Sequence, residues 1–324
     1  MDTDGKLLRL AVAVIICAVL LHLIGNGQLP DREQVAQAML FLQTGRRAQP
    51  LEAEETPTQM PTESTKAVSV PQETTPQPAV LTAADVAAVA VHNLAGYSVD
   101  VEKLMQQDIC WQLQKKEPTV LILHTHGTES YRNTEGYEES TKYRTEDERY
   151  NMISVGARLA ECLEAGGIGV IHDTKPYDLP SYSGSYSQAR EAIRKVLEEN
   201  PSVCLVLDIH RDAMTDAAGN QLAYTQGAAA KLMIVSGSDA GGLTYPTWEQ
   251  NLSLAVKLQA LLEREEAGIC RPLSFRTGRY NQDLFPNMLL IEVGAAGNTR
   301  QEAHLAVEIL AESILAMAEG TRYE

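Results

Sequence analysis

Three short apolar runs in this chain each end in residues that can hold a metal or move a proton. VLIL ends in His124-Thr125-His126-Gly127-Thr128-Glu129, LVL ends in Asp208-Ile209-His210-Arg211-Asp212, and LLI ends in Glu292-Val293-Gly294. In an open α/β sheet, ligands bind beyond the carboxyl ends of the strands, so these are the positions where a site is expected. His126 and Glu129 have an HxxE spacing, which on a turn leaving a strand brings an imidazole and a carboxylate to one ion, and His210 closes the set from a neighbouring strand. His, Glu and His with one open position is the donor set of a catalytic Zn2+. Such an ion lowers the pKa of its water toward neutrality, and Glu292 is then the base that takes the proton and passes it to a leaving amine. The chemistry this predicts is zinc-dependent amide hydrolysis.

Each of these residues also has a plain reading. An HxxE spacing occurs by chance, and Glu292 can simply pair with Arg211, Arg276 or Arg279. What favours a site is that three strand ends of one domain carry such groups. Arg211 divides evenly between a catalytic role, stabilising an oxyanion or binding a substrate carboxylate, and an ion pair with Asp212 or Asp208. His124, two residues before His126, is expected to point away from the site as a packed residue. Asn281, Gln282 and Asp283 precede the Glu292 strand and are expected to line the same cleft, with Asn281 and Asp283 as substrate-binding residues. Asn298 either caps the last helix or donates a hydrogen bond to substrate. HDTKPYDLPSYSGSY, from His172 to Tyr186, reads as a long loop over the site that presents aromatic faces, or as a surface loop held by turn chemistry.

The elements that must position these residues alternate. PTVLILHTHG, ISVGARLAECLEAGG, IGVIHD, SQAREAIRKVLEEN, SVCLVLDIH and AKLMIVSG are followed by a helix from about Trp248 to Glu265, by MLLIEVG, and by a helix from about Arg300 to Met317. Continuous apolar strands between amphipathic helices predict an α/β fold, a three-layer sandwich with a mainly parallel central sheet covered on both faces. This catalytic domain is expected over 118–324. A helical lead-in is expected over 81–117: Thr82 and Asp85 form a capping-box pattern before an apolar stretch ending near Gly96, and a second short helix follows Ser98 or Asp100.

Upstream, residues 7–24 read LLRLAVAVIICAVLLHLI, near the lower length limit for a transmembrane helix. Lys6 and Arg9 on one side, with Asp31 and Glu33 on the other, place residues 1–6 in the cytoplasm and the rest of the chain outside a cell membrane crossed once. GNGQLP after Ile24 offers no small-x-small cleavage site, so an uncleaved anchor is expected. A juxtamembrane segment covers 25–46. Six prolines among Thr, Glu and Gln make 47–80 an extended linker that cannot bury enough apolar surface to order itself. A formal net charge of -16 with no basic patch excludes general nucleic-acid binding. Five cysteines without a CxxC pair indicate neither a cysteine metal site nor a disulfide framework.

The motifs HTHGTESY (His124 to Tyr131), EDERYNM with VG (Glu146 to Gly156), HDTKPYDLPSYSGSY, DIHRDA (Asp208 to Ala213), RYNQDL (Arg279 to Leu284) and LLIEVGAAGNT (Leu289 to Thr299) resemble the stage II sporulation protein P family of endospore-forming bacteria. The match covers most of the chain after residue 90, and the anchor and linker suit it. The family is similar in its core to zinc-dependent N-acetylmuramoyl-L-alanine amidases, which use His, Glu and His ligands and a later catalytic Glu. The resemblance therefore implies an amidase/zinc-exopeptidase-like fold and a peptidoglycan hydrolase acting at the sporulation septum during engulfment. It also implies possible endopeptidase activity on cross-links, and association with sporulation proteins D and M. Other readings are a zinc peptidase acting only on stem peptides and a glycan-binding septal scaffold. In the amidases the middle Glu opens a helix before a pattern like ARLAECLEAGG, which here points to Asp147 or Glu148. HxxE points to Glu129, which is preferred because it stands in a closely matching motif three residues from His126.

Overall fold

The strands that carry the candidate residues sit side by side because their alternate side chains serve two different cores. In the computed structural model, which describes residues 77–132 and 143–324, β3 (Pro118–Leu123), β4 (Gly169–His172), β5 (Leu205–Asp212), β8 (Leu232–Ser236), β9 (Leu273–Phe275) and β10 (Met288–Ala295) join β2 (Val91–Asn93) in a seven-stranded sheet. The order is β2-β9-β8-β10-β5-β3-β4, parallel throughout except at β10-β8, while β6 (Thr225–Gln226) and β7 (Ala229–Ala230) form a separate antiparallel pair. The sheet is thus two parallel blocks set antiparallel at one junction.

Val120 and Ile122, Leu205, Leu207 and Ile209, and Leu289, Ile291 and Val293 point to one face. There they meet α3 (Met152–Ala165), α5 (Trp248–Glu265) and α6 (Arg300–Ala316) through Leu159, Leu258 and Leu310. Leu121, Leu123, Val206 and Met288 point to the opposite face and meet Ala189 and Ile193 of α4 (Ser185–Glu199). The period of two in these strands therefore continues into the polar residues that end them. Asp208 and His210 share the parity of Val206, and Glu292 shares that of Leu290, so all three project on the α4 side. His124 shares the parity of Ile122 and projects toward α3.

The lead-in is not simply helical. β1 (Ala79–Leu81) pairs in parallel with β11 (Thr321–Tyr323) near the chain's end. α1 (Ala83–Ala88) is opened by the expected box, with Thr82 N and Oγ1 donating to Asp85 Oδ2 at 2.7 and 2.9 Å. It stops at Ala88, earlier than predicted, because β-branched Val91 leaves it to form edge strand β2 on β9. α2 (Val101–Met105) starts at Asp100, whose side chain accepts from Lys103 N at 3.1 Å. The anchor at 7–24, the segment 25–46 and all but the last four residues of the linker lie outside the described residues. Among the described residues no helix is long and apolar enough to cross a membrane, and Cys110, Cys162, Cys204 and Cys270 are all free.

The lead-in is fastened by a buried cation. Lys257 on α5 is fully buried, and its Nζ donates to Leu104 O and Ser253 Oγ, each at 2.6 Å. Burial holds this amine down at about 7. Between that value and the unfolded value near 10.5 the unfolded chain binds the extra proton, so stability should rise with pH in this window. Whatever Lys257→Met does at pH 7, the melting-temperature difference should move in favour of wild type as pH rises from about 7 to about 10. A difference that stays constant would mean an amine of ordinary basicity.

Candidate active site

His126, Glu129 and His210 are brought together at the carboxyl ends of β3 and β5, each no more than 6 % exposed. The His126 and His210 rings stand edge to face with centroids 5.2 Å apart. His210 Nδ1 lies 3.8 Å from Glu129 Oε2. On its other side His210 Nε2 is 2.9 Å from Asp208 Oδ1, an electrostatic contact that lies off the axis of a straight hydrogen bond. Asp208 is fixed in turn by Thr125, whose N and Oγ1 donate to it at 2.8 and 2.6 Å. Burial alone would lower the His210 pKa; Asp208, then Glu129 and Glu292, outweigh it and raise the ring to about 9. Three carboxylates around one imidazole make this a pocket that favours positive charge.

Glu292 is the residue paired in register with His210 across β5 and β10. Its Oε2 is buried without a hydrogen-bond partner. Burial pushes its carboxyl up to about 7, with His210 opposing and Glu129 adding to the rise. His126 Nδ1 is likewise buried and unpartnered, and burial with the charge of His210 holds that ring neutral, near 3. An orphaned imidazole nitrogen beside a carboxylate and a second imidazole suits a zinc ion in donor type and number. Among the described residues no group of three such donors already stands in closed metal-binding geometry. The fit therefore rests on donor chemistry and on the orphaned atoms.

The family model for stage II sporulation protein P (SpoIIP) matches residues 31–315, a span that contains every one of these groups. The chain belongs to the stage II sporulation protein P family. It is 27 % identical over 221 residues to stage II sporulation protein P of Bacillus subtilis (strain 168), an overlap of 64 % of this chain and 53 % of that protein. The chain thus spans about half the length of the curated relative it matches. Among solved structures it is similar to the N-acetylmuramoyl-L-alanine amidase AmiC2 of Nostoc punctiforme, at 16 % identity, 61 % of this chain, 95 % of that one and a TM-score of 0.38. It is also similar to the CwlD amidase of Clostridioides difficile in complex with the GerS lipoprotein, at 16 % identity, 62 % and 95 % coverage and a TM-score of 0.39. At TM-scores this low the likenesses say nothing about the placement of single residues.

Other family-motif residues have tasks different from those the sequence suggests. Arg211 pairs with neither Asp208 nor Asp212, and it is not free to meet an oxyanion. Its Nη1 lies 3.5 Å from Glu129 Oε1, while Nε and Nη2 donate to Ser130 O and Tyr143 O at 3.0 and 2.9 Å. It therefore positions Glu129. Asn298 spends its whole amide on structure: Oδ1 accepts from Tyr224 N and Ala295 N, and Nδ2 donates to Tyr224 O and Glu302 Oε2, all at 2.9 to 3.0 Å. Asp283 is clasped by Arg190 at 2.6 and 2.9 Å, and Asn281 Nδ2 donates to Tyr186 O at 2.8 Å. Asn281 and Asp283 are thus engaged in a brace behind Tyr186, while Asn298 ties Tyr224 to the start of the last helix. Asp147 is bound to Arg149 at 2.6 Å on the surface, and exposed Glu148 lines a groove along α3 with His172 and His304. It is Glu129 that stands beside His210.

His124 faces away from the site, as its parity requires. Its Nδ1 lies 3.0 Å from Ile209 O, an acceptor only, so Nδ1 carries the proton and Nε2 accepts from His172 Nε2 at 2.9 Å. Gly156 on α3 leaves room for this pair, since a Cβ there would sit 2.4 Å from His124 Nε2 and 2.7 Å from His172 Nε2. Gly156→Ala should cost about 1–3 kcal/mol. It should also slow hydrolysis by disturbing β5 next to His210. A thermal melt and a wall-lysis assay check both, and an unchanged melt would mean the imidazoles move aside freely.

Residues missed in the sequence include Asp208 as the partner of His210, although the D-x-H spacing on a strand places both side chains on one face. Asp178, which accepts from Thr128 Oγ1 at 2.5 Å, and Tyr182, stacked on His126 at 4.2 Å, come from the loop after β4. The stretch from His172 to Tyr186 does read as an aromatic loop over the site, but no local pattern singles out these two residues within it.

Proposed function

We propose that this chain is a zinc-dependent peptidoglycan hydrolase of sporulation, cutting the amide between the lactyl group of N-acetylmuramic acid and L-alanine. The observation that carries the reading is the convergence of His126, Glu129 and His210 with Glu292 at adjacent strand ends, where three buried polar atoms, His126 Nδ1, His210 Nε2 and Glu292 Oε2, lack hydrogen-bond partners. His126, Glu129 and His210 would hold the zinc. When bound, the metal polarises the scissile carbonyl and makes a water nucleophilic at neutral pH.

The chain's own residues supply the rest. Asp208 orients the His210 ring, as a carboxylate behind a metal-bound histidine does. Arg211 holds the Glu129 carboxylate toward His210 and keeps its charge from being stranded. Glu292, buried and raised toward neutrality, accepts the proton of the attacking water at its carboxylate and returns it to the departing alanine nitrogen. Tyr182 over His126 excludes bulk water from that side.

The setting belongs to the same proposal. An anchor at 7–24 and a linker at 47–80 would hold the enzyme outside the cell membrane at the sporulation septum, within reach of the wall and of sporulation proteins D and M. Metal analysis of the purified full chain tests the centre. Wild type should carry stoichiometric zinc, and His126→Ala and His210→Ala should lose zinc and wall lysis together. Zinc and lysis retained in both variants would remove this site from consideration.

A further inference from the structure

One phenol beside the strand ends has its hydroxyl unspent. Tyr186 stands on the first turn of α4 and packs against both imidazoles, edge to face with His126 at 5.5 Å between centroids and nearly parallel to His210 at 6.5 Å. The fully buried tyrosines Tyr131, Tyr177 and Tyr245 each have a hydroxyl partner, in Val293 O, Asp173 and Asn251. That is the rule for a phenol shut away from water. The Tyr186 side chain is half-buried, and its hydroxyl has no hydrogen-bond partner among the described residues. Burial first, then the charges of Asp208, Glu292 and Glu129, raise its pKa well above the ordinary phenol range. The hydroxyl therefore lies within reach of all three carboxylates and stays a donor at neutral pH. Its backbone is fixed from behind. Asn281 Nδ2 donates to Tyr186 O at 2.8 Å, and Arg190 in turn donates to Asn281 Oδ1 and Asp283 Oδ2 at 3.3 and 2.6 Å.

Amide hydrolysis at this place calls for such a donor. As water adds to the amide carbon, the carbonyl oxygen takes on negative charge in a cleft already lined by Asp208, Glu129 and Glu292. Arg211 cannot meet that charge, because its donors are spent on Glu129, Ser130 and Tyr143. We propose that the Tyr186 hydroxyl donates a hydrogen bond to this oxyanion, which makes Tyr186 a catalytic residue that binds the tetrahedral state in preference to the planar amide. The inference deepens the amidase reading and rests on it for the identity of the reacting group. It also gives the brace of Asn281, Asp283 and Arg190 a purpose, since a donor held in place before the reaction costs no reorganisation during it.

Tyr186→Phe keeps the ring against both imidazoles and removes only the oxygen. In the zinc-loaded full chain the variant should hold zinc and melt as wild type does. Turnover of an N-acetylmuramoyl peptide should fall about a hundredfold with KM little changed. Calorimetry with a phosphinate isostere of the scissile amide, tetrahedral like the adduct, gives a readout apart from turnover. The variant should bind it more weakly by about the same factor as its loss of turnover. A ring that only packs predicts equal affinity in the two proteins. Turnover within tenfold of wild type, or an unchanged phosphinate affinity, overturns the proposal. If that unchanged affinity comes with a shifted acidic limb of the rate profile, the hydroxyl acts on Glu292 instead. Weaker phosphinate binding by Tyr186→Phe, with no hydrolysis of the peptide by wild type, keeps the donor and ends the amidase reading.

Discussion

Glu292→Gln should abolish most hydrolysis while leaving both fold and metal in place. The carboxyl sits at the end of β10, in register with His210, with one oxygen buried and unpartnered. Glutamine matches its shape but cannot take a proton, so the loss measures the proton shuttle alone. Removal of a general acid-base group costs about 10²–10⁴ in rate. Stability should stay level or rise slightly, because the variant no longer buries an ionisable group that burial has already pushed up to about 7. A bound dication would draw that value down again, which is why rate and zinc content must be measured on the same sample. Zinc unchanged with turnover down by at least a hundredfold is the expected pair. Turnover within tenfold of wild type would assign the base elsewhere.

Glu129→Gln should do more damage, and to more properties. Its carboxylate faces His210 Nδ1 at 3.8 Å, Arg211 Nη1 at 3.5 Å and Arg144 Nη2 at 3.7 Å, and accepts from Arg211 N at 3.4 Å. Neutralising it leaves the buried Arg211 facing no anion, and breaking a buried pair from one side costs about 3 kcal/mol. Zinc affinity and wall lysis should fall together. Asp147→Asn is the matched control, because Asp147 serves only a solvent-exposed pair with Arg149, whose side chain is 77 % exposed. It should leave zinc, lysis and melting temperature unchanged. The reverse outcome would move the middle ligand to Asp147, as the helix-opening pattern before ARLAECLEAGG suggests.

Much of this arrangement could be read from the chain because strand parity is a local property. The apolar runs at VLIL, LVL and LLI place His126, His210 and Glu292 at strand ends; the two-residue step from His124 to His126 would put both on one face of a continuing strand, and they diverge because β3 ends at Leu123. The helices at Trp248–Glu265 and from Arg300 carry clear patterns and clean ends, the latter capped by Thr299 and Glu302. What escaped depends on contacts between distant segments. Asp283 reads as a cleft residue because it precedes the Glu292 strand, but its partner Arg190 is 93 positions away; Asn298 could be read as a helix cap from its neighbours Ala295 and Glu302, but not as the holder of Tyr224, 74 positions away. The antiparallel junction between β8 and β10 is likewise a matter of topology, since a buried strand reads the same in either direction. Arg211 shows a third limit. An arginine beside a catalytic histidine suggests an oxyanion partner, and only the folded neighbourhood shows its donors spent on Glu129, Ser130 and Tyr143.

The most direct test of the central claim is mass spectrometry of purified peptidoglycan digested by the zinc-loaded full chain. Cleavage of the muramoyl amide predicts intact stem peptides with a free N-terminal alanine, alongside glycan strands that carry none. Products in which the first alanine stays joined to muramic acid, with cuts only further along the peptide, would contradict it.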